Sequence, residues 1–455
     1  MPKSMLQITS EDVDTPEKRG NITLCIIGCT SEGLVQAQLL ADAGFRVICT
    51  DTDQTLLSNV ARGRLPFLGR ETEIRLKNHA KNGLFKTIID LKAAVSQGDV
   101  LILSISGEID AKKKVSYHRL ENICKNVGSS LHEGALVIVT SAVGIGIMDG
   151  IIRETLENTS GFKVGVNLGL GYSPFQNLSA QPPDKQWADE RLVAASDKKS
   201  LKTMRLILEP AAKNALRSLE NMKTAEAALL FRVAQHAVDN AFSNELALLC
   251  EKIGVDYLQT SKIIETRFRS TSLVEDDPPE TVDMLLEEAE DLNLKLRLPA
   301  ISVDTNEEIA NHLVNLIRDA LKNCEKPLRR ARISLLGITR LPNARTPPGK
   351  IAINLIKVLD AKGAKVTMYD PFLSSAELTQ KGVRQGKNLT ETLEDADCVV
   401  ILTGHDQFKR LNLKKLKVMT KMPAAIVDFE GTVEPGKVEE EGFIYRGFGR
   451  GVWTK

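Results

Sequence analysis

Residues 224 to 256, TAEAALLFRVAQHAVDNAFSNELALLCEKIGVD, run without glycine or proline until Gly254. Good helix formers dominate, which predicts one helix of about nine turns. Thr224 suits the N-cap, and Lys252 before Gly254 supplies a last-turn cation followed by a permissive stop. Between Ala227 and Ala234 the helix is apolar over most of its circumference, so it cannot lie on a surface. Strands and helices alternate on both sides of it. The helix is therefore read as a spine joining two α/β halves.

Composition narrows the partners. The 455 residues hold 60 basic and 59 acidic side chains, which leaves no field that would favour nucleic acid or an anionic membrane. Seven cysteines, an odd number without metal-ligand spacing, suit a reducing cytoplasm. No run reaches the roughly 18 to 20 apolar residues of a membrane span. The polar start, residues 1–20, reads as a disordered tail.

Taken in order, NITLCIIG (21–28) is a buried strand, residues 33–43 form a helix that stops at Gly44, and FRVICT (45–50) is a second strand closed by Asp51. Strand, glycine turn, helix, strand and acid make the dinucleotide-binding βαβ arrangement. The candidate cofactor residues are Gly28, Thr30, Gly33 and Asp51. Thr30 stands where the fingerprint has the glycine that admits a pyrophosphate, and Glu32 sets a carboxylate in the first helical turn. That turn can equally be an ordinary one in a parallel sheet. DVLILSIS (99–106) and ALVIVTS (135–141) are central parallel strands, residues 163–167 are a candidate for another, and RLVAAS begins at Arg191.

Beyond the spine, FRSTSLVEDDPPE (268–280) is a charged loop, and residues 282–292 and 305–324 are helices. A second α/β unit follows: strand 331–336, helix 349–362, strand 365–369 ending at Asp370, and strands 397–403 and 424–428. The expected domains are a Rossmann-like NAD-binding-type domain over 21–215, a central helical dimerisation domain over 216–327, and a smaller nucleotide-sugar-binding-type α/β domain over 328–455.

This order resembles the UDP-glucose/GDP-mannose dehydrogenase family. The match is most specific in TAE (224–226) and NELALLCEKIGVD (244–256) of the spine. It is also specific in LLGITRLPNAR (335–345), GAKVTMYDP (363–371), DADCVVILTGHDQF (395–408), IVDFEG (426–431) and GFIYRGFGRG (442–451). YSP at 172–174 leans to the branch acting on UDP-N-acetylhexosamines. The resemblance implies NAD on the first domain, a nucleotide sugar on the last, dimerisation through the central helix, and oxidation of a C6 alcohol to a carboxylate by way of a cysteine.

The chain departs from that family where its chemistry lies. The family's nucleophilic cysteine aligns with Asp277 and its loop aspartate with Thr281. The spine lysine and asparagine, four residues apart on one face, read Leu229 and Val233. A catalytic threonine reads Ala142, and a general-base glutamate reads Phe175. A carboxylate is a poor substitute for a thiolate that must add to an aldehyde. Loss of one oxyanion donor alone costs a factor of about a hundred to a thousand. Cys250 and Cys324 read as core residues, Asn244 and Glu245 as ties from spine to sheet, and His405 as a loop residue. Arg345 is a candidate phosphate or sugar contact or a surface arginine, Leu341 replaces the family's preceding lysine, and no histidine or cysteine cluster suggests a metal.

Three readings follow. In the first, the chain lacks the oxidation, has weak or lost NAD affinity, binds a nucleotide sugar, and works by binding or by partnering an active paralogue. In the second it is an active NAD-dependent UDP-sugar 6-dehydrogenase of polysaccharide precursor synthesis. In the third it is a structural or assembly protein that binds neither ligand.

Overall fold

The structure is a computed structural model that describes residues 4–63, 68, 70–105, 108–109, 114–175, 191–212, 216–264, 280–373 and 384–453. The chain divides into two compact units, Met1–Ala234 with Pro278–Leu296 and Gln235–Asp277 with Arg297–Lys455.

The first unit is built on an eight-stranded sheet. Its strands are β1 (Thr23–Ile27), β2 (Arg46–Thr50), β3 (Phe85–Thr87), β4 (Val100–Leu103), β7 (Leu136–Val139), β8 (Gly169–Tyr172), β9 (Arg191–Ala195) and β10 (Leu216–Ser218). A separate antiparallel hairpin joins β5 (Glu108–Ile109) to β6 (Val115–Ser116). The order is β10-β9-β8-β7-β4-β1-β2-β3, with β8 and β9 antiparallel and the other pairs parallel. The chain winds from β1 toward β3 and then returns to β4, so the order reverses between β1 and β4. A ligand of such a sheet sits outside the carboxyl ends at that reversal.

The second unit repeats the plan with six parallel strands in the order β13-β12-β11-β14-β15-β16. They are β11 (Arg332–Leu336), β12 (Lys365–Tyr369), β13 (Arg384–Gln385), β14 (Cys398–Ile401), β15 (Ala425–Asp428) and β16 (Ile444–Gly447). Its reversal lies between β11 and β14. Apart from the first residues of β1 and β11, Thr23 and Arg332, the central strands of both sheets are buried, as their apolar runs require.

The spine is a single helix, Met222–Ile253. It begins two residues before the expected cap, because Asn221 rather than Thr224 does the capping: Asn221 Oδ1 accepts Thr224 N–H at 2.8 Å. It stops at Gly254, whose φ of +72° is the left-handed conformation expected of a stop glycine. Residues 216–234 and 278–296 of the expected middle domain fall in the first unit, and 235–277 and 297–327 in the second.

Three local expectations need correction. The described part of the N-terminal stretch, 4–20, is not a disordered tail. Met5, Ile8 and Val13 are buried, Met5 N–H donates to Gly134 O at 2.8 Å, and Thr203 Oγ1 donates to Met5 O at 3.0 Å. Met5, Leu6, Ile8 and Val13 in a polar stretch give no regular period to read. The strand expected at 163–167 is instead β8. Its two glycines lower its strand propensity, yet a Cβ at Gly169 would lie 2.8 Å from the Leu136 side chain and one at Gly171 2.5 Å from Met204 Sδ. Asn244 ties the spine to a helix rather than to a sheet: its Nδ2 donates to Asn306 Oδ1 at 2.9 Å, and Asn306 lies in the helix Arg297–Asn323.

Candidate functional site

At the first reversal point the chain leaves β1 through Gly28, whose φ is +113° and whose added Cβ would lie 2.4 Å from Ser104 O. Gly33 is held as tightly, since a Cβ there would meet Gly28 O at 2.1 Å. These are the fingerprint's turn and packing glycines. Between them Thr30 is the N-cap of the helix Ser31–Asp42, its Oγ1 accepting Gly33 N–H at 3.1 Å. Ser31 Oγ donates to Glu32 Oε2 at 2.9 Å. Asp51, 4% exposed, accepts Cys29 N–H on Oδ2 at 2.6 Å and Asp53 N–H on Oδ1 at 2.8 Å.

The structure therefore brings all four expected cofactor residues together, with Thr30 capping the helix and Asp51 bracing the turn. A pyrophosphate approaching here meets a β-branched side chain where the fingerprint has glycine, and a carboxylate one residue into the helix. The carboxylate competes with an anion for the positive end of the helix dipole.

Five of the six positions set against the family's catalytic groups also lie in the first unit. Ala142, Phe175, Leu229, Val233 and Thr281 are all buried, Leu229 and Val233 completely; Asp277 lies outside the described residues. Phe175 joins the core that contains Leu34, Ile102 and Ile138, and the Arg191 guanidinium sits 5.5 Å from its ring centroid. Arg191 is itself buried, donating from Nε to Ser173 Oγ at 2.6 Å and from Nη2 to Gln36 Oε1 at 3.3 Å. Burial pulls its pKa down to about 9. On the spine, Leu230 and Ala234 pack with Met284 and Leu285 of the helix Glu280–Asp291, and with Val115, Ile145 and Leu296. Glu287 of that helix accepts Val115 N–H at 2.9 Å.

One acidic residue of this region escaped the reading of the sequence. Glu226, fully buried on the first turns of the spine, accepts Gly146 N–H at 2.7 Å and Met148 N–H at 2.8 Å. Burial pushes its carboxyl up to about 7, against the pull of those two amides. Nearby, Tyr117 OH accepts Gly144 N–H at 2.8 Å, and burial pushes the phenol up to about 12. An acid among alanines, TAEAALL, was the available signal.

In the second unit the turn after β11 repeats the first. Gly337 has φ of +74°, and its Cβ would lie 2.4 Å from Thr403 O. Asp370 Oδ2 accepts Ile338 N–H at 2.7 Å and Thr339 N–H at 2.9 Å, and Oδ1 accepts Phe372 N–H at 2.8 Å. The loop folds back on itself through a Thr339–Pro348 bridge and the bond from Arg340 N to Pro347 O at 3.1 Å. Arg345 sits half-buried on it, Leu341 is buried, and Arg340 Nε is buried with no hydrogen-bond partner among the described residues. The helix Lys350–Ala361 then starts at Gly349 with no side-chain cap. Ile338, Lys350, Ala352, Leu402 and Phe429 enclose about 20 Å³, room for roughly one water.

Cys250 and Cys324 are core residues as expected, and every cysteine is a buried free thiol. Among the described residues no group of His, Cys, Asp and Glu could hold a metal, and no helix is long and apolar enough to cross a membrane.

Comparison with known proteins agrees with this geometry. The chain is 25% identical to UDP-glucose 6-dehydrogenase of Rhizobium meliloti over 448 residues, covering 94% of this chain and 99% of the relative. It is 23% identical to UDP-N-acetyl-D-mannosamine dehydrogenase of Pyrococcus horikoshii, covering 94% and 99%. The solved structure of a UDP-D-ManNAc dehydrogenase from Pyrococcus horikoshii superposes with a TM-score of 0.81 at 22% identity, over 95% of this chain and all of that one (100%). That likeness establishes the fold. Residues 22–212 match the NAD binding domain of the UDP-glucose/GDP-mannose dehydrogenase family, and residues 339–435 match its UDP binding domain. With both halves matched in order around one spine, the chain belongs to the UDP-glucose/GDP-mannose dehydrogenase family.

Proposed function

We propose that this chain is a family member that binds a nucleotide sugar without carrying out the four-electron oxidation at C6, acting by binding or as the partner of an active paralogue. The observation that carries the reading is the burial of Ala142, Phe175, Leu229 and Val233. At these positions the resemblance implies a threonine, a carboxylate, a lysine and an asparagine. Apolar side chains that pack cannot donate to a developing alkoxide or order a water, and a neighbour cannot make up for a missing nucleophile. NAD affinity is weak or absent, because Thr30 and Glu32 crowd the pyrophosphate position.

Nucleotide-sugar affinity is supported by the match of residues 339–435 to a UDP binding domain. It is also supported by charge. From Ile338 to Thr346 the chain carries Arg340 and Arg345 and no acid, beside an uncapped helix start that favours an anion; Lys350 is paired with Glu307 at 2.9 Å. The enclosed slot is too small for a base, so the diphosphate is taken by the loop itself.

The test is a panel of UDP-glucose, UDP-N-acetylglucosamine, UDP-N-acetylmannosamine and GDP-mannose, followed by NADH absorbance and by calorimetry. The expected result is no NADH, no low-micromolar binding of NAD, and measurable binding of one sugar nucleotide. Asp277→Cys alone fails to create activity, since Leu229 and Val233 remain. End-to-end similarity to dehydrogenases favours a second reading, an active enzyme in which Asp277 has been recruited. Robust NADH production that Asp277→Ala abolishes establishes that reading and overturns the first.

A further inference from the structure

His405 is fully buried although it follows β14 in a connecting loop, and it bonds to two separate segments. Its Nδ1 accepts Asn343 N–H at 2.9 Å, which leaves the ring proton on Nε2. That nitrogen lies 3.0 Å from Thr339 Oγ1 and 3.2 Å from Asp370 Oδ2. Phe372 and Phe408 flank the ring, with centroids at 5.0 and 5.4 Å. Asn343 completes the link in the other direction: its Oδ1 accepts Asp406 N–H at 2.9 Å, and its φ of +57° places it at the tip of the 338–348 loop. One imidazole thus ties the start and the tip of the loop that carries Arg340 and Arg345 to the acid at the end of β12.

We infer that His405 is the positioning residue of the nucleotide-sugar site, holding the 338–348 loop in the shape that presents its arginines to a diphosphate. This rests on the nucleotide-sugar reading above. The ring needs no contact with ligand to act. A flexible loop must be ordered when the anion binds, and a loop already fixed at its tip avoids that entropy. Its two arginines depend on the Thr339–Pro348 fold-back for their placement.

Two substitutions separate the two nitrogens. Asn at 405 places an amide oxygen where Nδ1 stands and keeps an acceptor for Asn343 N–H. Gln at 405 places its amide where Nε2 stands and keeps the donor to Asp370, but leaves Asn343 N–H without its partner. The full chain is examined by hydrogen exchange of the 338–346 amides and by calorimetry with UDP. In His405→Gln the Asn343 amide exchanges about 10- to 100-fold faster, the range set by loss of one buried hydrogen bond, and UDP binds on the order of tenfold more weakly. In His405→Asn, which keeps the Asn343 bond but gives up the Nε2 contacts, the Asn343 amide exchanges within about threefold of the unaltered chain. Arg345→Ala weakens UDP without changing exchange at the loop tip. Unchanged exchange in His405→Gln overturns the inference, and so does faster exchange with undiminished UDP affinity. If the unaltered chain binds no UDP, the functional reading itself fails; the exchange measurement needs no ligand and tells the two failures apart.

Discussion

Replacing Glu226 with glutamine removes a buried charge while keeping its shape. The carboxyl lies at about 7 in the folded chain against an ordinary value of 4.5. Burial is the main cause; the Gly146 and Met148 amides oppose it, Asp149 adds repulsion, and Lys223 relieves part of it. Because the folded chain holds this proton more tightly than the unfolded one, the group's favourable contribution is fully present below pH 4.5. It is lost as pH rises toward 7 and stays lost above that. A displacement from 4.5 to about 7 amounts to roughly 3 kcal/mol. Glutamine carries no charge at any pH, but its NH2 group opposes one of the two amides, at a cost of roughly 1–3 kcal/mol that does not vary with pH. Between pH 5 and pH 8 the variant should therefore gain roughly 3 kcal/mol relative to the unaltered chain. Native-state hydrogen exchange of β4 and β7 amides, corrected for intrinsic rates, reads the opening free energy of this unit directly. A difference between the two proteins that is the same at both pH values would refute the reasoning. It would mean that the two backbone amides fully offset the burial of the carboxylate.

The other predictions concern packing and assembly. Gly28→Ala should cost roughly 3 kcal/mol or more, because it combines a φ of +113° with a Cβ 2.4 Å from a backbone oxygen; an unchanged denaturation midpoint would show that the turn relaxes freely. Met5→Ala should destabilise the first unit by roughly 2–3 kcal/mol, since Met5 is only 1% exposed; no effect would restore residues 1–20 to the status of a tail. Phe242, Leu249 and Ile253 are 46%, 52% and 60% exposed on one stripe of the spine, at helical spacings of seven and four residues. Sedimentation should give a dimer that Phe242→Asp converts to monomer, and a stable monomer at micromolar concentration without substitution would reject the spine as an interface.

Much of the fold was legible because its signals are local. Central strands such as DVLILSIS announce themselves by unbroken apolar runs, and Gly28 and Gly33 by their spacing after a strand. The apolar character of Leu229, Val233, Ala142 and Phe175 was equally readable, and all four are buried. The misses lie where a residue's role depends on a distant partner. Met5 acquires its burial from Gly134 and Thr203, and β8 exists because its glycines admit Leu136 and Met204.

The sequence by itself determined the class of the chain and the order of its elements, because propensity, periodicity and side-chain type are properties of near neighbours. Only the tertiary structure decided what the remaining polar groups do. Asp51 and Asp370 stand where a dinucleotide fold sets its ribose-binding acid, yet each is turned onto the amides of its own glycine turn. Glu226 and His405 become buried anchors of loops some 60 to 80 residues away. A buried polar group must find partners wherever the fold brings them, and that placement is set by the packing of the sheets, not by anything within a few residues of the group.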